Sequence, residues 1–211
     1  MCIRAVVFDL GNVLIHLDPS RAIRAMMRDC PRLLERDIRD FFSRPDLADR
    51  YEKGKMTNES FYHYAADSLK CPISYDAFTN AWNGIFTPVR PMIDLLGKLQ
   101  PVCRLILCSN TNPLHAAYCI RTFAFLSCFE TLIFSCEAGL RKPEPAMYRL
   151  ILEKAGLPPA SCAFVDDLPD NVDGAVNAGM KGILFVSHDQ LVEELNQLGI
   201  AMESVTGECL E

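Results

Sequence analysis

The sequence predicts an α/β protein in which a doubly wound parallel sheet carries an inserted all-helical domain. Three observations support this fold class. The chain opens with a short buried apolar run that ends at a carboxylate, Asp9. Residues from about 18 to 85 show helical periodicity only. After Pro91, apolar strand-like runs alternate with amphipathic helices, which is typical of a parallel sheet with helices on both faces.

The first predicted strand covers residues 4–10. Its β-branched and aromatic residues show no polar alternation, which favours a strand buried on both faces. Asp9 comes at the end of this run, and Gly11-Asn12 then turns the chain. In an open parallel sheet, the carboxyl end of a central strand faces the crevice where ligands bind.

The helical domain is predicted at residues 17–86, and the α/β core at residues 1–16 and 87–211. Apolar residues in the insert recur at helical spacing, beginning with Ile23, Met26 and Met27. Small polar residues or glycine are the expected helix caps: Ser20, Gly54, Thr57 and Ser74.

Four further strands are predicted in the second half of the chain, each followed by a helix. The strands are expected at residues 104–108, 131–134, 162–165 and 182–186. The helices that follow them are expected at about 113–125, 145–156, 170–178 and 189–197. A strand that alternates with a helix in this way requires crossover connections, so the strands are expected to run parallel.

Composition limits the classes of function. The 211 residues are 50% hydrophobic and 23% charged, with a formal net charge of −6. This acidic balance argues against nucleic acid or an anionic membrane surface as a partner. Because no apolar run reaches the ~18 residues of a membrane span and the N-terminus has no signal-peptide pattern, a cytoplasmic location is expected. The sequence does not indicate the oligomeric state.

The ten cysteines are expected to be free thiols. No two have the C-x-x-C spacing of many zinc and redox sites, and several lie within apolar runs. In a cytoplasmic chain of this size, buried free thiols are the expected state.

Polar residues stand at the predicted ends of three strands, and a lysine follows a fourth. They are Asp9, Ser109, Asn110, Asp166 and Asp167, with Lys142 in the loop after the 131–134 strand. Because parallel strands have their carboxyl ends along one edge of the sheet, these groups are expected to converge in one crevice.

The converging groups suit phosphoryl transfer. Asp9 and an acid from 166–167 offer the hard oxygen ligands that Mg²⁺ prefers, and Mg²⁺ would reduce the repulsion between a carboxylate and a phosphate. Asp9 could then attack phosphorus and form an aspartyl-phosphate. Ser109, the backbone amides after it and Lys142 could hold the phosphate oxygens. Each residue alone has an ordinary explanation as a turn, a cap or a solvated lysine.

Four short motifs resemble those of the haloacid dehalogenase-like hydrolase superfamily. They are Phe8-Asp9-Leu10-Gly11-Asn12-Val13, Leu107-Cys108-Ser109-Asn110, Lys142-Pro143 and Phe164-Val165-Asp166-Asp167 with Asn171 after it. The helical insert follows the first motif directly, where one subfamily carries a helical cap. Glu52-x-Gly54-x-x-Thr57-x-x-x-Phe61 is similar to the helix–turn–helix within such caps. Within the family, the motifs look most like those of bacterial sugar-phosphate phosphatases.

The resemblance implies a set of site residues and a reaction. Asp9 would be the nucleophile, and Lys142 would pair with it and with the phosphate. Ser109 and Asn110 would bind phosphate. Asp9, the Gly11 backbone carbonyl and Asp166 would bind Mg²⁺, with Asp167 and Asn171 behind them. The substrate would be a small phosphorylated metabolite, such as a sugar phosphate.

Gly11 departs from the resemblance, since phosphatases of this family usually have an aspartate there that protonates the leaving group. Glycine cannot transfer a proton. A leaving group that is more acidic than an ordinary alcohol, such as the anomeric hydroxyl of a sugar 1-phosphate, would need less assistance. His16 or His115 could supply the proton, although a turn or helix-surface role is the simpler interpretation of each.

Other functions remain open at this point. A 2-haloacid dehalogenase would share the nucleophile but would need no paired acids at 166–167. A non-catalytic binding protein would explain Gly11 but not the retained nucleophile, and a phosphotransferase would share the intermediate. Substrate choice is expected to depend on residues of the helical domain, for which the candidates are Asp18, Arg21, Arg44, Tyr51 and Trp82.

Overall fold

A computed structural model describes residues 2–200 of the chain. Within them, five parallel strands form a sheet in the order β5-β4-β1-β6-β7, and β2 and β3 form a separate antiparallel pair. The strands are β1 Ala5–Phe8, β2 Ile15–Leu17, β3 Phe86–Pro88, β4 Arg104–Ser109, β5 Thr131–Phe134, β6 Cys162–Asp166 and β7 Lys181–Leu184. The predicted α/β class and parallel sheet are therefore confirmed.

Helices connect the strands and form the insert. In the insert they are α1 Pro19–Asp29, α2 Glu35–Phe42, α3 Pro45–Glu52, α4 Asn58–Leu69 and α5 Tyr75–Asn83. In the remainder they are α6 Arg90–Leu99, α7 Pro113–Thr122, α8 Ser135–Ala138, α9 Pro145–Ala155, α10 Pro169–Asn177 and α11 His188–Gln197. None of these helices combines the length and the apolar character that a membrane span requires.

The central strand β1 faces two hydrophobic cores. Val6 and Phe8 pack into one core with α6, α7 and α11, whereas Ala5 and Val7 pack into the other with α9 and α10. Successive residues of a strand point to opposite faces, so an uninterrupted apolar run fills both cores. Because the chain continues from β1 to β4 on one side and returns to β6 on the other, β1 lies at the switch point of the sheet.

The junction between the sheet and the helical insert is an antiparallel ribbon that the sequence prediction missed. Ile15, His16 and Leu17 pair with Pro88, Thr87 and Phe86. Both predicted domain boundaries fall within this ribbon. Strands of three residues are too short to show a period of two, and their partners are far apart in the sequence.

The five helices of the insert share a hydrophobic core of their own. It includes Ile23, Phe41, Phe61 and Phe78, and Leu114 of α7 packs against it. The insert therefore has its own buried cluster, and the division at residues 17–86 stays a prediction.

The expected helix caps are mostly confirmed. Thr57 and Ser74 accept hydrogen bonds from the backbone of the helices they precede, and Gly54 has a left-handed conformation with φ of +65°. The prediction that Ser20 caps α1 was wrong, because Asp18 accepts from the Ser20 N–H and the helix begins at Pro19. A proline at the first helical position has no N–H to satisfy, which allows the cap to lie one residue earlier.

No disulfide bond joins two of the cysteines that the structure describes. Cys209 lies outside the described residues.

We expect Gly54→Ala to destabilise the protein more than Gly139→Ala. Both glycines have positive φ, +65° and +68°, but a Cβ at Gly54 would overlap the carbonyl oxygen of Cys136, whereas nothing lies within 4 Å at Gly139. Gly139→Ala therefore costs only the left-handed conformation, about 1–2 kcal/mol. Urea unfolding of both variants measures the difference. Equal losses would contradict a tight contact between the helical insert and α8.

Candidate active site

A cavity of about 330 Å³ lies at the carboxyl edge of the sheet, facing the helical insert. All the predicted site residues except Asp166 line it, namely Asp9, Gly11, Ser109, Asn110, Lys142, Asp167 and Asn171. Glu52 and Trp82 line it from the insert. The strand ends therefore converge as the parallel sheet predicts.

Lys142 lies between two carboxylates in the interior of the site. Its side-chain Nζ donates to Asp9 Oδ1 at 2.7 Å, to Asp166 Oδ2 at 2.7 Å and to the Cys108 carbonyl at 2.8 Å. Burial opposes the charge of Lys142, but the carboxylates of Asp9 and Asp166 raise its pKa above the usual value. Lys142 is therefore a cation whose three protons all have acceptors.

Adjacent acids at the end of β6 have different surroundings. Asp166 is 0% exposed, and besides Lys142 its carboxylate accepts from Asn171 Nδ2 at 2.9 Å and from the Leu168 N–H at 3.0 Å. Asp167 is only half-buried, lines the cavity and accepts from Asn12 Nδ2 at 3.2 Å. Their side chains separate in this way because neighbouring residues in extended backbone point in opposite directions.

The loop after β4 is tied to two other segments. The side chain of Asn110 donates to the Lys142 carbonyl at 2.8 Å and accepts from the Lys142 N–H at 2.9 Å. Ser135 Oγ accepts from the Thr111 N–H at 2.8 Å and donates to the Thr111 carbonyl at 3.0 Å. These bonds set Ser109, which is 4% exposed, and Lys142 on the same wall of the cavity.

Three carboxylates offer a site for a divalent cation. One oxygen from each of Asp9, Asp166 and Asp167 lies within 4.8 Å of the others. Carboxylate oxygens are the ligands that Mg²⁺ prefers, together with water and phosphate oxygens. The donor set therefore fits Mg²⁺.

Asp9 follows the central strand and is 8% exposed. Burial raises the pKa of Asp9 to about 6, although Lys142 acts in the opposite direction. At neutral pH the carboxylate is still mostly ionised, which a nucleophile requires.

The family model for haloacid dehalogenase-like hydrolases matches residues 3–179, which contain all the strand-end residues described above. The chain belongs to the haloacid dehalogenase-like hydrolase family. The resemblance that the sequence motifs suggested is thus confirmed.

Members of the family with known names or structures resemble the chain over different lengths. Flavin mononucleotide hydrolase 1 of Arabidopsis thaliana is 44% identical over 66 residues, which are 31% of this chain and 27% of that protein. D-ribitol-5-phosphate phosphatase of Bacteroides thetaiotaomicron is 26% identical over 179 residues, covering 81% of this chain and 85% of that one. Two of the curated relatives that the chain matches are much longer than it. The match covers little more than a third of the length of one and less of the other.

A crystal structure of a haloacid dehalogenase-family enzyme from Bacteroides thetaiotaomicron, in complex with magnesium and inorganic phosphate, has the same fold. Its TM-score is 0.77 at 28% identity, and the match covers 85% of this chain and 92% of that one.

Neither histidine that was considered as a proton source suits the role. In the present protein, His16 is exposed on β2 and does not line the cavity. His115 does line it, but its Nε2 lies 3.0 Å from the Trp82 carbonyl and its Nδ1 lies 3.0 Å from Asn112 Nδ2. The prediction of a helix-surface position for His115 was wrong, since its ring is buried and stacks on Trp82.

The two partners of His115 define its protonation. An amide nitrogen donates and a carbonyl accepts, so the neutral ring carries its proton on Nε2. Burial lowers the pKa of His115 to about 4, which leaves the ring uncharged at neutral pH. His115 therefore joins the core to the helical insert as a neutral group.

The neutral His115 is expected to make folding stability depend on pH. Its pKa is about 4 when folded and 6.5 in its ordinary state, so stability is present above about pH 6.5 and is lost as the pH falls toward 4. The loss amounts to at most about 3 kcal/mol. Urea unfolding across this range should show a shallower pH dependence for His115→Gln than for wild type. Identical slopes for wild type and His115→Gln would contradict the assignment.

Of the candidates named for substrate choice, Trp82 alone lines the cavity among the described residues. Asp18 caps α1, and the Arg21 side chain bonds Thr87 at 3.0 Å. Arg44 bonds the Tyr64 hydroxyl at 3.0 Å, and Tyr51 is buried against Phe61. Each of the four thus serves helix capping or packing.

Sequence reasoning missed Glu52 as a site residue and noted it only within the cap-like motif. It is the last residue of α3, and its Oε2 lies 2.8 Å from Arg141 Nη2. Burial raises the pKa of Glu52, with Arg141 acting in the opposite direction. A carboxylate two residues before the turn glycine Gly54 was the available signal.

Proposed function

We propose that the protein hydrolyses phosphate monoesters of small metabolites, with Asp9 as the nucleophile. The observation that carries this proposal is the meeting of Asp9, Ser109 and Lys142 with the carboxylates of Asp166 and Asp167 around one cavity. The carboxylate attacks phosphorus, the ester oxygen leaves, and water hydrolyses the resulting aspartyl-phosphate. The names of the relatives that act on flavin mononucleotide and D-ribitol 5-phosphate support a phosphate ester as substrate.

Lys142 and the loop after β4 stabilise the phosphoryl group in this proposal. Lys142 Nζ donates a hydrogen bond to Asp9 Oδ1, at the carboxylate that attacks phosphorus. As negative charge develops on the phosphoryl oxygens, the same N–H can donate to them instead. Ser109 supplies its hydroxyl. The side chain of Asn110 bonds the Lys142 backbone and is not available to the phosphate. The phosphate contact predicted for Asn110 would therefore be made by its main-chain N–H.

Mg²⁺, when bound, reduces the repulsion between the nucleophile and the phosphate. We assign its protein ligands to Asp9, the Gly11 carbonyl and Asp167, which exchanges the roles predicted for Asp166 and Asp167. Asp166 is fully buried and already accepts hydrogen bonds from three donors, whereas Asp167 faces the cavity. Asp166 and Asn171 then support the site without binding the metal. Asp166 orients Lys142, and Asn171 donates to Asp166.

The organic part of the substrate would lie toward the helical insert. A sugar phosphate is the predicted class, and the name of the ribitol phosphatase supports it. The walls on this side are mainly apolar: Ile15, Leu17, Trp82, Ile85 and Phe86. Since such walls also suit an aromatic group, flavin mononucleotide belongs in the substrate panel. A cytoplasmic location and the absence of nucleic-acid and membrane partners remain predictions.

Phosphate release over a panel of esters tests the proposal. The panel contains D-ribitol 5-phosphate, a sugar 1-phosphate, flavin mononucleotide and p-nitrophenyl phosphate, each with Mg²⁺ and with EDTA. We expect Mg²⁺-dependent release, with Asp167→Asn requiring more Mg²⁺ than wild type for half-maximal activity.

The alternatives give different results in the same assays. Release of chloride from 2-chloropropionate that persists in EDTA would indicate the dehalogenase. Phosphate transfer to an added alcohol would indicate a phosphotransferase. If no ester or haloacid is turned over, the chain is a binding protein and the proposal is wrong.

A further inference from the structure

None of the residues assigned a role in the site above protonates the leaving oxygen. Gly11 has no side chain, and both ring nitrogens of His115 have partners. Within residues 2–200, the carboxylic acids that line the cavity are Asp9, Glu52 and Asp167. Asp9 is the proposed nucleophile and Asp167 a proposed metal ligand, so Glu52 is the acid without an assigned role.

We propose that Glu52 is the general acid and general base of the reaction. The inference rests on the proposed function and extends it, because it assigns the proton transfers to a residue of the helical insert. The motif containing Glu52 then has a chemical role in addition to shaping a turn.

The surroundings of the Glu52 carboxyl leave one oxygen available. Its Oε2 is buried and forms an ion pair with Arg141 Nη2 at 2.8 Å, whereas Oε1 accepts no hydrogen bond from the described residues. A carboxyl oxygen without a protein partner, on a residue that lines a cavity, can bond a substrate oxygen.

The loop that carries Lys142 also positions Glu52. Arg141 contacts Glu52 and, at 3.5 Å, Asp49 of the same helix, while Lys53 bonds Glu144 at 2.6 Å. These ion pairs hold the end of α3 against the segment next to Lys142. The acid and the phosphate-binding lysine are therefore set in place by neighbouring residues of one loop.

Burial favours the protonated form of Glu52. It raises the pKa of the carboxyl, and the Arg141 guanidinium acts in the opposite direction. A raised pKa brings a carboxyl closer to neutral pH, which suits a group that both donates and accepts a proton.

The proposed steps balance as follows. In the first, an Asp9 oxygen bonds to phosphorus, the bond between phosphorus and the ester oxygen breaks, and the Glu52 proton goes to that oxygen to form the alcohol. In the second, the Glu52 carboxylate takes a proton from water, whose oxygen bonds to phosphorus and displaces Asp9. Phosphate leaves, and Glu52 and Asp9 return to their starting forms.

Glu52→Gln tests the inference with two substrates that differ in leaving group. The nitrophenolate of p-nitrophenyl phosphate leaves without a proton, whereas a sugar alcohol needs one. We expect kcat/KM for D-ribitol 5-phosphate, or for the primary alkyl ester that wild type hydrolyses fastest, to fall about 10²-fold or more. For p-nitrophenyl phosphate it should fall less than about 3-fold. The ratio kcat/KM is used because it reports the steps up to alcohol release.

Asp46→Asn is the matched control, since Asp46 is an exposed carboxylate of the same helix, α3, and does not line the cavity. It should leave the ratio of the two kcat/KM values unchanged. Gly11→Asp should restore alkyl-ester hydrolysis to Glu52→Gln, because the backbone there is not left-handed and the nearest atom to a new Cβ is the flexible Leu17 Cδ1 at 3.1 Å.

Two results would overturn the role of Glu52 while the proposed function stands. One is an equal loss on both substrates in Glu52→Gln, which would show that Glu52 only supports Arg141. The other is a wild type that hydrolyses p-nitrophenyl phosphate but no alkyl ester, because such an enzyme has no acid. A wild type inactive on every ester would instead overturn the proposed function, and this inference with it.

Discussion

Asp9→Asn is expected to lower kcat/KM for phosphate release by about 10³-fold or more, because an amide cannot attack phosphorus as a carboxylate does. The substitution keeps the size of the side chain, and Lys142 keeps its bond to Asp166. Phosphate release with the best substrate of the panel measures the loss. A covalent phosphoryl group trapped on wild type and absent from Asp9→Asn would confirm the nucleophile directly.

The stability of Asp9→Asn should not fall together with its activity. Burial raises the pKa of Asp9 to about 6, so at neutral pH folding holds this carboxylate in an environment that disfavours its charge. Asp9→Asn removes that cost and is expected to unfold in EDTA at the same temperature as wild type or higher. Asp173→Asn, an exposed position on α10, is the control and should change neither property. Activity that persists in Asp9→Asn would overturn the assignment of the nucleophile.

Lys142→Met is expected to abolish phosphate release and to destabilise the protein by about 3 kcal/mol or more. Lys142 is 3% exposed and bonds both Asp9 and Asp166. Without it, two buried carboxylates face each other with no cation between them. Both effects have one cause, since the same ammonium group balances the charge of the folded site and is available to the phosphate.

Urea unfolding and phosphate release of Lys142→Met measure the two effects, and Lys154→Met, at an exposed position of α9, is the matched control. Mg²⁺ should restore part of the lost stability, because a divalent cation can replace the missing charge between the carboxylates. A stability equal to that of wild type in EDTA would contradict the ion-pair geometry.

The pattern of residues along the chain was sufficient to predict the main elements of the site. A continuous apolar run specifies a strand buried on both faces, and alternation with helices specifies parallel strands. Parallel strands share one carboxyl edge, so Asp9, Ser109 and the acids at 166–167 had to converge. The strands of the parallel sheet and most helix caps agree with prediction because both depend on patterns among residues close in sequence.

The tertiary structure decided the features that depend on contacts between distant segments. Adjacent acids point to opposite sides, but only the position of Lys142 shows that Asp166 pairs with it and that Asp167 faces the cavity. His115 is buried because α5 packs against it through Trp82, and Glu52 reaches the cavity wall because it contacts Arg141. Local sequence thus determined which chemical groups reach the edge of the sheet. Long-range packing decided which group each one meets, because it sets the distances and burial on which charge and proton transfer depend.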